Sequence, residues 1–87
     1  MDSDCILEEN QEKARELFHH RCVMCCAPSD IVHEIIPRAN GKETHRLDNM
    51  VVLCATHHDF CHAVGTYISE RILRQKREEA LIRYANR

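Results

Sequence analysis

Apolar positions change period several times along the chain, and each change marks an element. Over residues 4–20, Ala14, Leu17 and Phe18 fall at helical spacing with charged residues opposite, which predicts an N-terminal helix. Pro28, Ser29 and Asp30 break that pattern, so Cys22 to Asp30 reads as a turn. Ile31 to Ile36 is β-branched apart from His33 and Glu34, which predicts a short strand whose two polar side chains point to opposite faces. Pro37 ends it. Arg38 to Asp48 is polar and carries Asn40-Gly41, a turn signal in a loop long enough to return the chain. Met50 to Leu53 is a second apolar run, and pairing the two runs gives an antiparallel ribbon. Cys54 to Val64 has the composition of a short helix ended by Gly65. Thr66 to Arg87 reads as a longer helix with a broken apolar stripe of Ile68, Ile72, Leu73, Ala80, Leu81 and Tyr84.

Length turns this pattern into a problem of stability. Eighty-seven residues make one domain at most, and so short a chain buries too little apolar surface to be comfortably stable without a staple. Six cysteines are available for one. The first ten residues are acidic and hold no continuous apolar stretch of the kind a secretory signal needs, so metal ligation in a reducing, cytoplasmic setting is expected rather than disulfides. No run approaches the ~20 apolar residues that span a bilayer, which excludes a membrane role at this stage.

Charge narrows the partners. A net charge of −2 argues against a surface that attracts nucleic acid everywhere. The acids cluster near the N-terminus, whereas Arg71, Arg74, Lys76, Arg77, Arg83 and Arg87 load the last stretch as the wet face of a helix, so any phosphate-facing surface lies toward the C-terminal half. Phe18, Phe60, Tyr67 and Tyr84 are too few to build a stacking platform for single-stranded bases.

The candidate staple is a pair of ligand pairs, Cys22-Val23-Met24-Cys25 and Cys54-Ala55-Thr56-His57. Thiolates and imidazole bind zinc tetrahedrally, and a two-residue gap lets a tight turn bring both ligands onto one ion. The distance between the pairs requires the clamp to close around the hairpin, so zinc replaces missing core and its binding becomes folding free energy. Cys26 and His58 are alternative ligands. His57 is preferred because its spacing matches the first pair and releases His58 for chemistry. Cys5 and Cys61 read as packing residues, and His19, His20 and His45 as solvated or otherwise satisfied.

The ordered elements Cys22-x-x-Cys25, His33-Glu34-Ile35-Ile36-Pro37-Arg38, Asn49-Met50-Val51-Val52-Leu53-Cys54, His57-His58 and His62 resemble the HNH endonuclease family over residues 22–62. The resemblance implies an α+β fold: a small ββα-metal (His-Me finger) core with a structural zinc clamp, flanked by helical extensions over 4–20 and 66–87. It also implies metal-dependent hydrolysis of DNA phosphodiester bonds with low intrinsic sequence specificity. Small members of this kind look like phage or prophage products, which makes DNA the expected partner and a larger DNA-processing or packaging protein a second one. Carried over by position, His33, His58 and His62 would ligate a catalytic divalent cation (Mg2+ or Mn2+, with Ni2+ and Zn2+ as alternatives). Asn49 would order the loop and orient the catalytic group, and Arg38 would reach a phosphate.

One departure from the family pattern bears on catalysis. Relatives commonly place a histidine base where this chain has Glu34, so two assignments stay open: His33 as general base with Glu34 in support, or Glu34 as base with His33 a ligand. A dication nearby pulls a carboxyl pKa down, which favours His33. A chain that has lost catalysis would be a zinc-stapled module binding nucleic acid or protein. A second departure is milder: His57 stands where a cysteine is more usual, and zinc accepts three thiolates and one imidazole readily.

Overall fold

The structure, a computed structural model, describes residues 3–37 and 45–85, with side chains described from residue 7. Arg38, the Asn40-Gly41 turn, Arg87 and the side chain of Cys5 lie outside the described residues. Among the described residues, three α-helices and one two-stranded antiparallel sheet make an α+β fold. Helix α1 spans Ser3–Leu17, strand β1 Val32–Glu34, strand β2 Met50–Val52, helix α2 Ala55–Val64 and helix α3 Thr66–Ala85. A 3-10 turn, Leu47–Asn49, leads into β2. No helix among the described residues is long and apolar enough to cross a membrane.

The first helix stops three residues short of the expected His20. His19 and His20 both adopt left-handed backbone (φ 57° and 55°), which a continuing α-helix cannot contain, and the His20 amide donates back to the Arg15 carbonyl at 2.8 Å. His19 then stacks on Tyr84 of α3, with ring centroids 4.2 Å apart, and His20 Nδ1 pairs with Asp30.

The ribbon pairs Val32 with Val52, His33 with Val51 and Glu34 with Met50. Its regular strands are shorter than the apolar runs, yet hydrogen bonding continues past both ends: the Leu53 amide donates to Ile31 and the Ile35 amide to Asn49, at 3.0 and 2.8 Å. Met50, Val51 and Val52 are all buried, so β2 is covered on both faces; α1 packs against one side of this ribbon and the 3-10 turn. Phe18, Val23, Ile35, Leu53, Cys61, Leu73 and Ala80 join Val51 and Val52 in one core. Cys61 is therefore a packing residue, 3 % exposed.

Gly65 separates the last two helices. Its φ of 85° lies where side-chain-bearing residues are strained, and its amide closes α2 by donating to Cys61 at 3.1 Å. Helix α3 departs from its expected stripe at two positions. Ile68 is half-exposed, and the buried face runs through Ser69, Leu73 and Ala80. Arg77 falls on that same face at four residues from Leu73, so it is not part of the wet basic surface. Its Nε donates to Met50 O and its Nη2 to Leu47 O, both at 3.1 Å.

Candidate metal centres

The first knuckle is a tight turn whose main chain is built to present sulfur. The Cys22 amide donates to Ala27 O and the Cys26 amide to Cys22 O, each at 2.8 Å, while Met24 N–H points at Cys22 Sγ from 3.4 Å. Cys26 occupies the left-handed position of this turn (φ 66°), which aims its side chain away from the ligand group and toward Arg83, whose Nη1 lies 3.2 Å from Cys26 Sγ. A bond from Val23 N–H to Val52 O at 2.9 Å ties the knuckle to β2. The second knuckle is the first turn of α2, with Cys54 just before the helix and His57 inside it.

These two turns bring Cys22, Cys25, Cys54 and His57 together, with all four ligand atoms within 4.8 Å of one another. Cys25 Sγ and Cys54 Sγ are 3.8 Å apart; His57 Nδ1 is 3.2 Å from Cys54 Sγ and 3.7 Å from Cys22 Sγ. Tetrahedral zinc, with Zn–S ~2.3 Å and Zn–N ~2.0 Å, requires edges of ~3.8 Å between sulfurs and ~3.5 Å between sulfur and nitrogen. The three observed edges fit that tetrahedron. The His57 amide facing Cys54 leads in lowering that thiol to about 7, with the His57 ring and the thiols of Cys25 and Cys22 acting in the same direction and burial opposing them. A thiol so lowered gives up its proton readily, as a zinc ligand must. The group can hold a structural metal such as zinc.

A second group draws on another face of the same helix. His58 and His62, four residues apart on α2, share one helical face, and His33 reaches them from β1. The His58 and His62 Nε2 atoms are 3.3 Å apart, and the ligating atoms of all three rings lie within 4.8 Å of one another. The rings meet edge to face, with His33 centroids 5.2 Å from His58 and 5.6 Å from His62. Burial, reinforced by the two neighbouring imidazoles, depresses His33 to about 4. A ring in that state keeps its lone pair at neutral pH. The triad opens on a cleft of about 290 Å³ whose other lining residues include Gln11, Glu34, Thr66 and Ser69.

Asn49 is buried. Its side-chain amide accepts the Ile36 N–H at 2.9 Å and donates to Ile36 O at 3.0 Å, which clasps the chain just beyond β1. Glu34 is not among the three side chains that could hold an ion there. Its Oε2 is 3.1 Å from Nδ1 of His45, and both side chains are largely buried. His45 is satisfied rather than solvated, and nothing in the apolar periodicity marks it as Glu34's partner. Its only signal is that it is a histidine in the loop joining the two strands.

Thus four sequence-selected residues form the cysteine cluster and three form the imidazole cluster, while Glu34 lines the cleft of the latter and Asn49 clasps the chain beyond β1. Comparison of the chain with protein-family models, with curated proteins and with solved structures finds no match.

Proposed function

We propose that the three-histidine cleft is the centre of an HNH-type endonuclease that hydrolyses DNA phosphodiester bonds, on a ββα-metal core formed by β1, β2 and α2. The observation that carries this reading is the convergence of His33, His58 and His62 at a cleft separate from the cysteine clamp. The two donor sets differ in the chemistry they permit. Three thiolates and an imidazole neutralise a zinc ion and complete its tetrahedron, as in structural sites. Three neutral imidazoles leave a dication its full charge and open positions. An ion held there would polarise the scissile phosphate and stabilise charge on the departing 3′ oxygen.

Imidazole-only donors suit Zn2+ and Ni2+ better than Mg2+ or Mn2+, which prefer oxygen ligands. This reading therefore replaces the Mg2+ or Mn2+ suggested by the motif alone.

Roles for the chain's own groups follow from the lone pairs. With His33, His58 and His62 all committed as ligands, no imidazole of the triad is free to accept a proton. Glu34 is the only carboxylate among the described residues lining the cleft, so it serves as general base. It takes a proton from water as the water oxygen attacks phosphorus. The bond from phosphorus to the 3′ oxygen breaks, its electron pair leaves with that oxygen, and solvent returns a proton there. Asn49 holds the Ile36 main chain and so fixes the strand end that carries His33 and Glu34. None of the described cleft-lining residues is Lys or Arg, so phosphate contact falls to the ion and to Arg38, which follows β1 in sequence. Base-specific readout is assigned to none of the described residues, so in this reading specificity is low and depends on DNA structure or on a larger DNA-processing partner.

The test is nicking of supercoiled plasmid by zinc-clamped protein across Ni2+, Zn2+, Mn2+ and Mg2+. Nicking with Ni2+ or Zn2+ that disappears in His58→Ala, while the clamp zinc stays bound, supports the proposal. Inactivity with every ion would leave a non-catalytic zinc-stapled module in its place.

A further inference from the structure

Glu34 and His45 are eleven residues apart and meet beside the imidazole cleft, their side chains only 14 % and 9 % exposed. An ionised carboxylate only accepts hydrogen bonds, so His45 Nδ1 carries the proton and donates it to Oε2 across 3.1 Å. That leaves Oε1 without this restraint and available to water. His45 is itself held: its carbonyl accepts from Nδ2 of Asn10 on α1 at 2.7 Å, and the 3-10 turn that leads into β2 begins two residues later.

A purely structural account of this pair is weak. A buried imidazole–carboxylate pair contributes little net stability compared with apolar side chains of similar volume. A chain with so small a core gains from apolar residues at every buried position. What the pair does supply is restraint. A free glutamate lining the same cleft as three imidazoles carries the charge to compete for an ion held there, and a ligating carboxylate is no longer a base.

We propose that His45 is a positioning residue that holds Glu34 off the ion and aims it at water. The inference rests on the reading of Glu34 as general base. Its geometry requires a donor at the place of Nδ1 and nothing more from the ring. Asn places its amide nitrogen close to that point, Gln places its own near the Nε2 position, and Leu supplies volume with no donor.

The experiment measures kcat and KM on a labelled duplex with Ni2+, together with calorimetric Ni2+ affinity and bound clamp zinc, for the wild type, His45→Asn, His45→Gln, His45→Leu, Glu34→Gln and the Glu34→Gln/His45→Leu pair. His45→Leu should lower kcat about 10- to 100-fold, the usual cost of removing a residue that orients a metal-site group, with KM little changed. His45→Asn should recover kcat to within a few-fold of wild type and keep wild-type Ni2+ affinity. In the Glu34→Gln background, His45→Leu should cost nothing further, because its effect passes through Glu34. Should His45→Leu fail to fold, the contrast between Asn, which rescues, and Gln, which does not, carries the same decision. Wild-type kcat in His45→Leu, equal losses in Asn and Gln, or losses additive with Glu34→Gln would overturn the positioning role while leaving the nuclease reading intact. An inactive wild type, or an unimpaired Glu34→Gln, would overturn that reading first and the positioning role with it.

Discussion

Asn49 and Ile36 are joined by two hydrogen bonds between one side chain and one main-chain unit, the amide of Asn49 both accepting from Ile36 N–H at 2.9 Å and donating to its carbonyl at 3.0 Å. The strand has already ended at Glu34, so no ladder partner satisfies Ile36 there. The Asn49 side chain stands in for a ladder partner at Ile36.

Replacing Asn49 by Ala removes both bonds and leaves two partly buried peptide groups in want of partners. The expected loss is about 2–4 kcal/mol of folding free energy, well above the ~1 kcal/mol of an ordinary hydrogen bond, because desolvated groups are stranded. Urea denaturation checks it, and bound zinc per chain should be unchanged, since Asn49 is not one of the four clamp residues. A loss below ~0.5 kcal/mol would show that water replaces the clasp.

The two metal clusters share helix α2 but not its faces, and this separates their mutational signatures. Cys22 is fully buried in the core as well as part of the cluster that can hold zinc, so Cys22→Ser should release zinc and unfold the domain together. His58→Ala should leave one zinc per chain and native far-UV circular dichroism while abolishing ion binding at the cleft. Elemental analysis and circular dichroism on the same samples decide the matter. Zinc loss in His58→Ala would put His58 in the clamp in place of His57.

Local pattern carried the elements, and pair spacing carried the clusters. Gly65, the two apolar runs and the helical ligand pair His58 and His62 are legible because each rests on neighbours within a few positions. The strand ends were overestimated because Ile31 and Ile36 have strand-like chemistry but bond one-sidedly at the edge of a two-stranded ribbon. His45 and Arg77 escaped for a different reason. Their roles depend on groups 11 and about 30 residues away, and neither residue type in isolation distinguishes a solvated side chain from one that bonds a distant partner. Arg77 was the more misleading of the two, since basic residues on a terminal helix suggest a wet face.

Arg77 joins α3 to the entry of β2. It bonds the carbonyls of Leu47 and Met50, and its guanidinium sits 5.5 Å from the ring centre of Phe18, just past the end of α1. Burial pushes its pKa below the ordinary value, against the pull of Asp48, so the charge is kept there at some cost. Arg77→Met preserves the packing length of the stem and removes every donor. It should destabilise the fold by about 2–3 kcal/mol, as two charge-assisted bonds are lost. Arg77→Lys, with a compact ammonium, should keep only part of this because one point charge cannot span both carbonyls in the planar fork geometry. Chemical denaturation of the three proteins gives the order, and Lys matching Arg would refute the fork argument.

The depressed pKa of His33 makes stability depend on acid in a defined window. Above its ordinary value of 6.5 the ring is neutral folded or unfolded, and its contribution is whole. As the pH falls from about 6.5 toward 4, the unfolded chain takes up a proton that the folded ring refuses. Unfolding is then favoured, and the contribution disappears as the pH passes through about 4. The cause lies in burial first and in His58 and His62 second, so removing the ring should remove the dependence. His33→Phe fills similar space without a proton to bind. With no ion at the cleft, the difference in urea midpoint between pH 7 and pH 5 should be smaller in His33→Phe than in the wild type. Acid effects on the zinc clamp act on both proteins and cancel in that comparison. Parallel pH dependence in the two would mean that the folded ring accepts its proton as freely as the unfolded one, and that the three imidazoles do not crowd one another as their geometry requires.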